Sequence, residues 1–461
     1  MRRRCSRTVL AGFGALLLSL LSACGGGGGG SAPPPGKPPV ILTQPVSQSI
    51  IEGGAVTFQV SATGEGALTY QWQKNGTDIT VGGTLSSLIV ADLTLADDGS
   101  AYRVVVKSSN GGSATSSSAI LKVLPSPYAT TGSLLTARWS HTATLLDDGR
   151  VLIAGGINAD HGAGLLAEVY DPVKGQFTAT GSLNIYRGGG HSATKLKDGR
   201  VLIVGGFGSD YRDVAVAEVY DPSSGTFSRT GVLGTARSFH TATLLPDGTV
   251  LIIGGANLFS AIASCEIFDP ATGTFSPSGD LVTRRYDHST VLLPGGKALV
   301  IGGTDNCICA RAVAELYDPA TRSFSDAATL TSARSDATAT LLSDGRVLVV
   351  GGDDNYIYPM ETELYDPSLN RFSVVGTMAR SRHTATLLPN NKVLITGGDS
   401  PNYGGAIRNS WVFDPLTSTY AWGGLLGQAR TGHTATRLLN GKVLLVGGLG
   451  QTYLASAELY G

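Results

Sequence analysis

The chain has 461 residues, of which 15% are charged and 42% hydrophobic, with a formal net charge of −1. That length exceeds one ordinary core and predicts two or more domains, and the apolar fraction excludes a disordered chain. Beyond the first seven residues there is no basic block to attract phosphate backbones, which argues against nucleic acid as a partner, and 63 glycines punctuating short apolar runs predict an all-β protein.

Arg2, Arg3, Arg4 and Arg7 precede an apolar run from Val9 to Ala23, which is of signal-peptide length and short for a membrane span. The run ends Leu21-Ser22-Ala23-Cys24, which resembles the lipobox of bacterial lipoproteins. The resemblance implies cleavage after residue 23, lipidation of Cys24, and a partner membrane reached through that anchor. An exported protein held at the outer membrane or cell surface is therefore expected. Residues 24–38, a glycine tract followed by prolines, read as a tether. Cys265, Cys307 and Cys309 are the remaining thiols outside the leader, and their spacing lacks the second pair that a zinc site needs.

Residues 39–125 read as short strands. Val56-Thr57-Phe58-Gln59-Val60 alternates, and Tyr70 to Lys74 runs into the hairpin turn Asn75-Gly76. With Trp72 and Tyr102 in place, the segment resembles an immunoglobulin-like sandwich. The resemblance implies Trp72 as the core aromatic of strand C and Tyr102 as the tyrosine corner. Val60 and Val104 stand where that family usually has its bridging cysteines, so apolar packing must replace the disulfide.

Residues 126–461 are repetitive. Glycine pairs end an apolar run at Gly155, Gly205, Gly254, Gly302, Gly351, Gly397 and Gly447, at intervals of 50, 49, 48, 49, 46 and 50 residues. Each pair follows two short strands joined by a tight turn, such as Asp147-Asp148-Gly149-Arg150. A third strand ends in an aromatic and Asp-Pro, as at Tyr170-Asp171-Pro172, and a second aromatic seven residues later opens a fourth. Four strands per repeat with a glycine pair resemble the kelch type of β-propeller. The last repeat stops at Tyr460-Gly461, and Tyr128 to Leu134 matches the missing fourth strand in spacing. The expected fold is all-β: a seven-bladed β-propeller whose N-terminal strand closes the last blade, preceded by an Ig-like β-sandwich.

The loops after the glycine pairs vary and share one face with the lead-in to each first strand. Variable loops on a repetitive scaffold are where specificity is usually placed. Tyr211, Phe259, Tyr356, Tyr358, Tyr403 and Tyr453 lie in these loops and are candidates for ligand contact. Arg138, Arg237, Arg285, Arg334, Arg380 and Arg430 open first strands on the same face, with Arg187 in the second repeat one position earlier. They could bond blade to blade, or form an electropositive mouth for oxyanions; they too are taken as candidate ligand contacts. Six of the seven histidines occupy one repeat position, from His141 to His433. A residue repeated in nearly every blade answers a packing need of every blade, whereas an active site needs asymmetry. Asp305 and the pair Asp353-Asp354 follow glycine pairs and read as solvated loop acids rather than calcium ligands.

The sequence thus favours a lipid-anchored surface protein that binds a glycan or protein through the loop face, with no catalytic residues, cofactor or metal, and no enzymatic activity. The other reading is a kelch-type carbohydrate-active enzyme, either a copper radical oxidase or a sugar mutarotase.

Overall fold

The computed structural model describes residues 36–306, 310–354, 358–401 and 404–461. Cys24, Cys307, Cys309, Tyr356 and Tyr403 lie outside the described residues. Among the described residues every regular element is a strand apart from two 3-10 turns, Leu95–Asp97 and Ala163–Leu165. No helix there is long and apolar enough to cross a membrane.

The first domain is a sandwich. One sheet orders Gln48–Ile51, Ala119–Leu124, Ala101–Ser108, Leu68–Lys74 and Thr77–Asp78 side by side, and Val56–Gln59 pairs with Ser87–Val90 opposite. Phe58, Trp72, Tyr102 and Val104 are fully buried between the layers, with Phe58 stacked on Tyr102 at 4.7 Å. Val60 and Val104 pack here as apolar residues. Tyr102 departs from the expected corner. Among the described residues its hydroxyl finds no backbone partner, and the Lys74 ammonium lies 6.0 Å from its ring centre.

Beyond residue 125 the described residues form seven four-stranded sheets. The first comprises Thr142–Leu145, Val151–Ala154, Ala167–Asp171 and Gln176–Ala179, all antiparallel. The innermost strands touch in cyclic order, from Thr142–Leu145 round to Thr434–Arg437 and back. Each second strand is buried on both sides, which explains its unbroken apolar run. Val151 and Ile153 pack on Leu444 and Val446 of the last sheet, while Leu152 and Ala154 pack on Val201 and Ile203 of the next. Each such valine, leucine or isoleucine contributes ~1.5–3 kcal/mol by leaving water.

The aromatic before each Asp-Pro faces the aromatic seven residues on, as Tyr170 faces Phe177 across the strand pair at 4.8 Å. Asp171 Oδ1 accepts the Val173 and Lys174 N–H groups and so closes the turn that Pro172 begins. Tyr128–Thr130 pairs with Ala457–Tyr460, with Tyr128 opposite Tyr460 and the rings 5.1 Å apart. The N-terminal strand therefore completes the sheet that holds the C-terminus.

The two domains touch. Trp422, on the outer strand of the sixth sheet, donates its indole N–H to the Glu52 carbonyl at 3.3 Å. Gly53 has φ +79, and a Cβ there would lie 2.7 Å from Leu425. Glycine suits this position chiefly because it takes the positive φ without strain, and it leaves room for the Leu425 side chain.

Candidate functional site

The repeated arginines are structural. Arg138, Arg187, Arg237, Arg285, Arg334 and Arg430 are 0% exposed. Arg138 donates through Nη1 to the carbonyls of Gly155 and Leu166 at 2.9 and 2.8 Å, and through Nη2 to Glu168 Oε1 at 2.8 Å. Glu168 in turn accepts the Leu135 N–H at 2.7 Å, which fixes the chain leading into the blade. The same ion pair recurs as Arg187–Glu218, Arg237–Glu266, Arg285–Glu315, Arg334–Glu363 and Arg430–Glu458. Arg380 differs, because Trp411 takes the position of the glutamate. It bonds the Gly397 carbonyl at 3.1 Å, and its Nε has no partner. The expectation that Arg138, Arg237, Arg285, Arg334, Arg380 and Arg430 contact ligand is corrected: buried guanidinium groups, all but one committed to carboxylates, form no electropositive mouth.

The histidines are structural as well. His191 Nε2 hydrogen-bonds Thr142 Oγ1 of the preceding blade at 3.2 Å. His240 reaches Ser192, His288 reaches Thr241, His383 reaches Thr338, His433 reaches Thr384 and His141 closes the circle on Thr434. Each ring packs on the glycine pair of the neighbouring blade. A Cβ on Gly155, where φ is +66, would lie 2.7 Å from His191 Cε1. Burial holds His141, His191 and His288 down to about 3, so the rings are neutral at physiological pH.

The residue just before each of these histidines, and before Ala337 in the fifth blade, behaves differently. Ser140, Phe239, Asp287, Asp336 and Arg382 have φ between +50 and +55, and Gly190 and Gly432 have φ of +65 and +56. These seven residues share one repeat position. Their backbones run from blade to blade: the Asp336 N–H donates to the Asp287 carbonyl at 3.0 Å, Asp287 to Phe239 at 3.1 Å, and Phe239 to Gly190 at 2.8 Å. A collar of main chain is thereby held in the left-handed conformation, and its side chains are Ser, Gly, Phe, Asp, Asp, Arg and Gly. The asymmetry that chemistry needs lies here.

The collar lines a cavity of about 520 Å³ at the end of the propeller that bears the variable loops. One wall is apolar, with Trp139, Ile157, Phe207 and Phe239, and the other is charged, with Asp287, Asp336 and Arg382. Asp287 and Asp336 are both half-buried. Burial, and then the neighbouring Asp336, pushes the Asp287 carboxyl well above the usual carboxylate range. Burial also raises Asp336, while the Arg382 guanidinium, 3.3 Å away, opposes the rise. Arg382 also faces Asp399 at 3.8 Å. Two carboxyl groups so placed do not both ionise readily, and the first proton lost by the pair makes the second harder to lose.

Of the predicted aromatics, Tyr211, Phe259, Tyr358 and Tyr453 lie among the described residues, and none of these four lines the cavity. Tyr211 is 65% exposed, edge-on to His161 at 6.1 Å. Phe259, 74% exposed, lies 6.2 Å from Phe207 of the apolar wall. Tyr358 is half-buried, with Asp353 and Asp399 as electrostatic neighbours. Tyr453 is half-buried and bridges Leu449. The collar itself was missed. Its signal is a position that differs in almost every repeat, beside one that hardly changes.

Residues 38–108 match the immunoglobulin domain family model. Among solved structures, a fungal alcohol oxidase of the AA5 family, determined with copper, superposes with a TM-score of 0.57 at 14% identity, over 72% of this chain and 75% of that one. YjhT superposes with a TM-score of 0.51 at 16% identity, over 64% of this chain and 99% of that one. Both likenesses run through the propeller. At these identities the likeness concerns the fold. It nonetheless overturns the expectation of a protein without enzymatic activity, because this scaffold is the one on which an alcohol oxidase is built. Among the described residues nothing fits a copper centre. Among the described residues no group of three or more His, Cys, Asp or Glu is arranged to hold a metal ion. The histidines sit in separate blades with Nε2 engaged by hydroxyls, and Cys265 is buried in the third sheet, its thiol pushed up to about 12 by burial.

Proposed function

We propose that the propeller is a carbohydrate-active enzyme of the acid–base kind, a sugar mutarotase that interconverts the anomers of a reducing sugar. The observation that carries this reading is the carboxyl pair Asp287 and Asp336 in a cavity whose opposite wall is aromatic. Opening a pyranose requires one group to protonate the ring oxygen and another to remove the proton of the anomeric hydroxyl. Asp287, the more strongly raised of the two, holds the proton at rest, and Asp336 beside Arg382 is the base. As Asp287 donates to the ring oxygen and Asp336 takes the hydroxyl proton, the C1–O5 bond breaks and a free aldehyde forms. Rotation about C1–C2 presents the other carbonyl face, and closure reverses both proton transfers. Trp139 and Phe239 offer apolar faces on which a sugar ring can stack.

The test is exchange between α and β anomeric protons, followed by NMR saturation transfer with catalytic amounts of protein. Acceleration over buffer that vanishes in Asp287→Asn and Asp336→Asn supports the reading, and no acceleration for any common aldose overturns it. We also propose, from Leu21 to Cys24, that the chain is exported and lipid-anchored through Cys24. Incorporation of labelled palmitate that is lost in Cys24→Ala checks this.

A further inference from the structure

The third blade carries a short hairpin after its glycine pair. Ala256–Asn257 pairs with Ser260–Ala261, and Leu258 and Phe259 form the two-residue turn between them. Both turn residues are left-handed, with φ of +48 and +64, as a type I′ turn requires. Asparagine and glycine adopt that backbone readily, whereas bulky apolar residues resist it. Neither side chain gains a place in the core for this strain, since Leu258 is 66% and Phe259 74% exposed. Tyr211, in the loop of the second blade, has the same two features, a φ of +59 and a ring 65% exposed. Strain at exposed apolar side chains answers no packing need, and strain of this kind clusters where a ligand is met.

The hairpin is fixed from both sides. The Leu258 N–H donates to Asp213 Oδ2 of the second blade at 2.7 Å, and the Asn257 side-chain amide donates to the Ala236 carbonyl at 2.5 Å. The Ala261 N–H donates to Asn306 Oδ1 of the fourth blade. A tip pinned in this way has little freedom left to lose on binding. From it a file of rings leads inwards. Phe259 lies 6.2 Å from Phe207, and Phe207 lies 5.1 Å from Phe239. Phe207 and Phe239 line the cavity, and Phe259 stands just outside it. Each step is close to the length of one pyranose unit in a glycan, and aromatic faces are surfaces on which sugar rings stack. Asp287 and Asp336 occupy the other wall. A reducing sugar whose C1 faces that wall directs C4, at the opposite end of the ring, towards the file of rings. A unit joined to C4 leaves the cavity past Phe207 and meets Phe259.

We infer that the substrate is the reducing end of a 1,4-linked oligosaccharide, with the cavity holding the terminal unit and the Leu258–Phe259 hairpin stacking the unit joined to it. The inference rests on the acid–base reading of the cavity, which decides which end of the chain enters.

Isothermal titration of the full chain with D-glucose, cellobiose and maltose, paired with anomer-exchange kinetics on the same sugars, tests it. All three present a glucose reducing end. At least one disaccharide should bind about tenfold more tightly than glucose and show a KM lower by a similar factor. Its kcat should match that of glucose, because Phe259 stands outside the cavity and away from the reacting atoms. The double variant Leu258→Asn, Phe259→Gly installs the residues that this turn prefers. It should melt at a higher temperature than the wild type, lose the disaccharide advantage and keep its affinity for glucose. Equal or weaker binding of both disaccharides overturns the inference and, where glucose is still exchanged, leaves mutarotation standing. A turn variant that melts no higher, or that keeps the advantage, overturns it too. A disaccharide advantage that is lost in the turn variant, without any anomer exchange in the wild type, supports the subsite and overturns mutarotation. Failure of all three sugars to bind overturns both.

Discussion

Two circles of side chains stand one residue apart in the chain and face opposite demands. The histidine circle is buried and nearly uniform, and each ring bonds a hydroxyl of the neighbouring blade. The collar one residue earlier shares a backbone conformation and has almost no shared chemistry. A position whose side chain must fit between every pair of blades is held constant by packing. One whose side chain points into an open cavity is constrained only in its main chain. Repetition thus marks what holds the ring together, and variation within the repetition marks where a ligand is met.

Acid should expose the first circle most strongly. Burial depresses the folded-state pKa of all six histidines, while the unfolded chain protonates them near their ordinary value of about 6.5. Below that value the unfolded state binds more protons, so stability falls as pH drops towards about 3, with a slope of up to ~1.4 kcal/mol per unit for each histidine. Asp287 and Asp336, raised in the fold, act in the opposite sense, but two groups oppose six. Urea unfolding at pH 7.5 and 5.5 should differ by several kcal/mol, and equal stabilities would show that the rings are charged in the fold. Next in size, Glu315→Ala strands Arg285 without its carboxylate and should cost ~3–5 kcal/mol in denaturant unfolding.

The collar should respond in the other currency. Asp287→Asn should lower anomer exchange by about 100-fold. It should leave the melting temperature nearly unchanged, since asparagine is isosteric with the protonated carboxyl it replaces. A large loss of stability with little loss of rate would make Asp287 a structural residue and dissolve the distinction. The smallest effect is expected at Arg380, the buried arginine that faces Trp411 in place of a glutamate. Arg380→Met should change stability by less than ~1 kcal/mol or increase it, in contrast to removal of a partner from any intact pair.

The fold was legible because its constraints are local and repeated. Glycine pairs, Asp-Pro turns and paired aromatics each leave a mark at a fixed interval, and the match of Tyr128 to Phe177 revealed the closing strand. The site was less legible for a specific reason. Arg138 and its equivalents look like a basic ring until their partners are seen, and those partners, Glu168 and its equivalents, lie about 30 residues away on another strand. The loop tyrosines were sought for their chemistry, whereas Asp287, Asp336 and Arg382 come together only when seven blades close into a circle. No interval in the sequence brings blades four, five and six to one point.

The seam at Tyr128–Thr130 has a mechanical side. Only three residues pair there with the C-terminal strand, and the chain that leads to them passes directly from the Ig-like sandwich. A pull on the N-terminal end would otherwise reach that short strand and peel the circle open at its one non-covalent join. The grip of Trp422 and Leu425 on Glu52 and Gly53 offers a second route for the load, into the outer strand of the sixth blade, where all four strands come from one continuous stretch of chain.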